Sequence, residues 1–230
     1  MSLRVALFGN KVETEELVSL LAGMDNVELT LVTLGPTLRC GGKISGASEN
    51  LESQCRALGV KIQQVVSYSL SDPADLDFFR GQQFDLGLTY GWQRLLPEVV
   101  LDSFDNGVFG WHGSPFRFPY GRGRSPLNWA IRLNQRKAFH YLFRLTVGAD
   151  AGDVFEVQKL KISPGDDIGD LLAKAHSHAL ASCQRLVQCL LRDGEVALTP
   201  QPRHVSLMLP SITAADSVLS PTIMTAGEAL

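Results

Sequence analysis

The chain has 230 residues, 45% hydrophobic and 20% charged, which is enough apolar material for one sizeable core. A net charge of −3 excludes a global field that gathers nucleic acid or anionic membrane, so any anion recognition must come from a local cluster. No run approaches the roughly 20 apolar residues of a membrane span, and the opening Met-Ser-Leu-Arg-Val-Ala-Leu-Phe-Gly is a poor export signal. A cytoplasmic location is therefore expected, with Cys40, Cys55, Cys183 and Cys189 as free thiols and no ligand spacing for a metal.

Arg4–Phe8 reads as a buried strand ending at Gly9-Asn10, and Glu13–Leu21 as a helix. Val27–Leu34, rich in β-branched residues, is a second strand, and the glycine-rich Gly35–Gly46 a loop. Ala47–Leu58 is a helix stopped by Gly59, Val60–Val66 a strand, and Pro73–Phe79 the start of another helix. Phe84–Thr89 is the fourth strand, followed by Tyr90-Gly91-Trp92 and a short turn or helix over Leu95–Leu101. Gly107–Trp111 is the fifth strand. This alternation predicts a mostly parallel sheet covered by helices, an α/β Rossmann-like fold. Ligands in such sheets collect at the carboxyl ends of the strands, which selects Gly9-Asn10, Tyr90-Gly91-Trp92 and Gly110–Ser114 as walls of one crevice.

Past a helix at Ser125–Asn134 the pattern changes. His140–Val147 and Val154–Ile162 read as neighbouring strands joined by a loop with two acids and two glycines, Gly148–Asp153. Pro164–Asp167 introduces a long helix with an apolar face from Ile168 through Leu190, stopped by Gly194. The chain divides into residues 1–194 as the catalytic unit and 195–230 as a partly irregular extension. Apolar Val205, Leu207, Met208 and Leu209 in that extension pack either on the core or on a second copy, which leaves a homodimer open.

Three features carry chemistry. His112 follows a strand and precedes a loop of Gly, Pro and Arg; imidazole titrates near neutrality and can give or take a proton. A lone histidine there is ordinarily a capping residue, but this loop favours a site. Asp150 is a common turn residue, yet a carboxylate brought beside His112 would raise the imidazole pKa and fix its tautomer. Arg117, Arg122 and Arg124, separated by glycines, form a fork-donor cluster suited to phosphate or carboxylate. No G-x-G-x-x-G follows the first strand, so nicotinamide binding is disfavoured.

At these residues the chain resembles the folate-dependent formyltransferases. That family carries a strand ending Asn-x-His, a Ser-Leu-Leu-Pro-like loop, a Gly-Arg-rich turn and a later Asp-x-Gly. His112 matches the histidine, Gly113-Ser114-Pro115 begins the loop, and Asp150-Ala151-Gly152 matches Asp-x-Gly. The run Tyr120–Ile131 is most similar to the branch that formylates amino sugars. The resemblance implies the formyltransferase fold and transfer of a formyl group from 10-formyltetrahydrofolate to a small-molecule amine, a nucleotide sugar being the best match. It makes His112 and Asp150 the catalytic pair. It assigns Tyr90, Gly91, Trp92, Leu96, Val147, Gly148 and Ala149 to the folate, and Gly110, Ser114, Arg122, Arg124 and Asn128 to the acceptor, with no metal and no nucleic acid. One departure stands out: the family asparagine, two residues before the histidine, is Gly110 here. Its amide holds the developing oxyanion in that family, so water or backbone donors in the space opened by Gly110 are expected to replace it. Two other readings follow: a binding protein that has lost transfer, or a hydrolase of formyltetrahydrofolate.

Overall fold

The computed structural model describes residues 2–39, 46–202 and 206–213. Cys40, Val205, the end of the Gly35–Gly46 loop and the tail from residue 214 lie outside the described residues. The elements in chain order are β1 (Leu3–Phe8), α1 (Val12–Ala22), β2 (Val27–Leu34), α2 (Pro36–Arg39), α3 (Leu51–Ala57), β3 (Lys61–Val65), α4 (Pro73–Gly81), β4 (Leu86–Thr89), α5 (Glu98–Leu101), β5 (Val108–Ser114), β6 (Tyr120–Gly123), α6 (Pro126–Arg132), β7 (Lys137–Arg144), β8 (Val154–Lys161), α7 (Ile168–Asp193) and β9 (Leu207–Leu209). Seven strands form one sheet in the order β3-β2-β1-β4-β5-β7-β8. The first five are parallel; β7 and β8 run antiparallel. The order reverses between β1 and β4, the switch point at which the strand ends leave a crevice.

Alternation along β1 builds the two cores. Leu3, Val5 and Leu7 face α1, α3 and α7, packing with Leu17, Leu51 and Leu186. Ala6 and Phe8 face the other side, with Phe79, Val100 and Phe104. Both faces are dry, so these strands read as nearly continuous apolar runs. Asp72 caps α4 by accepting from the Ala74 N–H, with Pro73 behind it. Asp167 and Asp170 form a capping box on α7, and Gly194 ends it in the left-handed conformation. No described helix is long and apolar enough to cross a membrane.

Four expectations change, the first being that the Gly35–Gly46 loop opens with the short helix α2. The helix drawn from Ala47 begins at Leu51, because Ser48 Oγ accepts from the Asn50 and Leu51 N–H groups and starts the turn there. The fifth strand does not stop at Trp111 but continues to Ser114, held by β7. The Gly-Arg loop contains β6, which pairs with β9 from the segment after α7. On β9, Leu207 and Met208 stand about half exposed.

A polar seam ties β7, β8 and α7 together. His140 Nδ1 lies 2.8 Å from His178 Nδ1, His178 Nε2 lies 3.0 Å from Glu156 Oε1, and Arg185 clamps Glu156 at 2.6 and 2.7 Å. Both rings are buried. Burial is the main cause that pushes His140 down to about 3, and it also lowers His178, where Glu156 opposes the shift. The unfolded chain takes up these protons once pH falls below about 6.5, whereas the folded chain resists until much lower pH. Stability is thus fully present above that value and declines from about pH 6.5 towards pH 3. Urea unfolding should show a lower midpoint at pH 5 than at pH 7, with a shallower decline in His140→Gln.

Candidate active site

The cleft begins where two neighbouring strands end unequally. The last β4–β5 pair is Thr89 with Gly110, but β5 runs on to Ser114 against β7 alone. Trp111 to Ser114 therefore lie on an overhang with one edge unpaired. Tyr90 turns away from the end of β4 and, with Trp92, Trp111, His112, His140 and His176, lines a cleft of about 380 Å3. A second cavity of about 430 Å3 is lined by Glu98, Phe104, Gly107, Arg144 and Val147. It is the larger, yet His112 is absent from its wall, so the chemistry selects the first.

The structure brings His112 and Asp150 together: Nε2 lies 3.6 Å from Oδ2, both side chains mostly buried. Asp150 holds a left-handed φ of +52°, unusual for a residue with a side chain. Three contacts hold it there. The Gly123 N–H donates to Asp150 Oδ2 at 3.1 Å, and Gln201 Nε2 donates to the backbone carbonyls of Asp150 (3.1 Å) and Gly152 (2.5 Å). A Cβ at Gly152 would lie 1.7 Å from the Arg144 carbonyl oxygen, which explains the glycine in Asp-x-Gly. Gln201 was not visible as a site residue, since it sits in a segment without periodicity.

Asp150 acts on the His112 pKa in the expected upward direction, but the net shift is downward. Burial lowers it most, Asp150 opposes, and Arg122 lowers it further. The result is an imidazole held neutral. Arg122 also differs from its expected role on acceptor phosphates. It is buried, donates to Gln201 Oε1 at 2.5 Å and lies 5.8 Å over the Phe118 ring. It therefore backs the Asp150 loop instead of reaching solvent. Ser114, also given to the acceptor, is fully buried, and its hydroxyl donates to the Tyr120 carbonyl, tying the loop to β5. Arg117 and Arg124 are exposed, and Asn128 is on the cleft rim.

Gly110 does not open a space for water. A Cβ there would meet Thr89 Oγ1 at 2.5 Å and Leu145 Cδ2 at 3.1 Å. The Thr89 hydroxyl fills the position, with one long bond, 3.4 Å, to the Phe109 carbonyl. Of the residues expected on folate, Tyr90, Gly91 and Trp92 line the cleft. Leu96 is buried in the core with Phe8, and Val147 borders the second cavity. Gly148 and Ala149 precede Asp150 in its loop. His140 and Thr89 are cleft residues that sequence reasoning missed; both look like ordinary strand positions.

No protein-family model matches the chain. It is 29% identical over 154 residues to the methionyl-tRNA formyltransferase of Nitrobacter hamburgensis, covering 66% of this chain and 47% of that protein. The chain spans about half the length of the curated relatives it matches. Its fold is similar to that of phosphoribosylglycinamide formyltransferase from Bacillus halodurans, with a TM-score of 0.66 at 18% identity over 84% of this chain and 97% of that one. It is also similar to the N-formyltransferase from Helicobacter canadensis, solved with folinic acid and dTDP-3-aminofucose, with a TM-score of 0.67 at 15% identity over 100% of this chain and 78% of that one. At these identities the solved structures show the formyltransferase fold, and the sequence match shows similarity to methionyl-tRNA formyltransferases over about half of their length.

Proposed function

We propose that the chain moves a formyl group from 10-formyltetrahydrofolate to a primary amine, with a nucleotide-linked amino sugar as the acceptor class. The observation that carries this reading is His112, neutral at rest in the cleft wall, with the Asp150 carboxylate 3.6 Å behind it. That separation is longer than a hydrogen bond, and such contacts tighten when reactants are bound.

The folate supplies the activated formyl group. Tyr90, Trp92 and Trp111 offer aromatic walls to a flat pterin, and the Trp92 indole N–H is buried without an acceptor. The amine nitrogen forms its bond to the formyl carbon while the carbonyl electrons move onto oxygen. The bond from that carbon to the folate N10 then breaks, and N10 takes up the proton the amine gives up. His112 carries that proton. Its Nε2 is sealed against Asp150, which leaves Nδ1 as the nitrogen open to the cleft. Asp150 stabilises the transient imidazolium.

The oxyanion needs a donor. Thr89, whose hydroxyl stands where a side chain at Gly110 would be, lies on the wall shared with His112 and fills this role. Two observations support the acceptor class. The Helicobacter canadensis relative was solved with an amino sugar nucleotide, and a net charge of −3 disfavours a polyanion such as tRNA.

The test is turnover of 10-formyltetrahydrofolate with a panel of aminated nucleotide sugars. Formamide product is expected, and His112→Asn should lower kcat by about 10²–10⁴ with an unchanged urea midpoint. Folate binding without turnover on any amine overturns the reading in favour of a binding protein; formate release without acceptor favours a hydrolase. Thr89→Val should lower kcat by about 10²–10³ while Thr89→Ser keeps most of it. Gly110→Asn alone should lose stability, by about 1–3 kcal/mol in urea unfolding, and gain no rate, because Thr89 already occupies the position.

A further inference from the structure

The seam that joins β7 to α7 ends inside the cleft, and its protons can be assigned. Glu156, clamped by Arg185, is held below the ordinary carboxylate range, first by the Arg185 bond. An ionised carboxylate only accepts, so His178 Nε2 must donate to it. His178 is wholly buried and kept neutral, so it has one N–H and its Nδ1 is a bare lone pair. The short contact from His140 Nδ1 is then a donation from His140 to His178. His140 is neutral as well, so its remaining nitrogen, Nε2, carries a bare lone pair.

Among the described residues no protein group bonds that atom, and it is not among the sealed, partnerless buried atoms. His140 lines the cleft. In the sheet it pairs with Gly113, the neighbour of His112, and the two imidazoles are close enough for His112 to contribute to the low basicity of His140. Two donors of the same cleft are engaged elsewhere: the Tyr90 hydroxyl shares a hydrogen bond with His176, and the Trp111 indole N–H donates to Ser182. The cleft thus presents a fixed acceptor that the chain does not use itself.

We propose that His140 Nε2 accepts a hydrogen bond from the acceptor amine and so turns the nitrogen lone pair towards the formyl carbon, with His178 and Glu156 as positioning residues that lock its tautomer. A weakly basic imidazole suits this task. It takes up an N–H bond without removing the proton, and it leaves proton transfer to His112. The inference rests on the transfer reading above.

Two measurements on the full chain test it. Nitrogen-15 spectra of the histidine-labelled protein at pH 7 should show His140 protonated at Nδ1 and bare at Nε2, with His178 in the opposite tautomer. A proton on His140 Nε2 overturns the inference whether or not any variant folds. In the turnover assay, His140→Gln should lower kcat/KM for the best aminated nucleotide sugar by roughly 3- to 10-fold, the worth of one neutral hydrogen bond. The KM for 10-formyltetrahydrofolate should stay unchanged. An undiminished kcat/KM, or a loss that appears only in the folate KM, overturns the inference and leaves the transfer reading intact. Absence of turnover in the parent protein strikes the transfer reading and takes this inference with it.

Discussion

The unequal ends of β4 and β5 are the constraint on which the site depends. A parallel sheet ordinarily closes both sides of each strand. Here β4 stops at Thr89 while β5 continues with β7 as its only partner. The unpaired edge gives His112 and Trp111 room to face a cleft, and the turn at Tyr90–Trp92 supplies the opposite wall. The antiparallel pair β7–β8 then has two tasks. It supports the overhang, and the loop joining its strands delivers Asp150 to the imidazole.

Electrostatics around the pair are set by competition, not by one partner. A carboxylate alone would make the imidazole more basic. Burial and the Arg122 guanidinium outweigh it, so His112 rests neutral and available to take a proton. The same principle governs the His140–His178 seam, where low solvent access keeps two rings uncharged and the Glu156–Arg185 pair absorbs the only formal charges. Neutral imidazoles with assigned tautomers are more specific hydrogen-bonding groups than imidazolium ions, which can only donate.

Much of the scaffold was legible in the sequence because it is local. Val27–Leu34 and the capped helix that ends at Gly194 were read with the bounds the structure has or nearly so. Their signals, β-branched runs and a helix stop, lie within the element itself. The His112–Asp150 pair was legible only through a family resemblance, since nothing local says that two distant segments meet. What stayed hidden depends on register. That Thr89 stands over Gly110 follows from the β4–β5 pairing, and that Arg122 turns inward follows from Gln201, a residue in a stretch with no pattern. The β6–β9 pair was invisible for the same reason: each strand is three or four residues long and acquires its shape from the other.

Gln201 also bears on how the molecule comes into being. The side chain that pins the Asp150 loop lies beyond α7, some fifty residues after the loop it holds. During synthesis the sheet and its imidazole emerge first, while the brace for the carboxylate is still to be made. A nascent or clipped molecule ending at Gly194 would own the cleft but not the fastening of its acid, so the brace arrives only after α7 has been made.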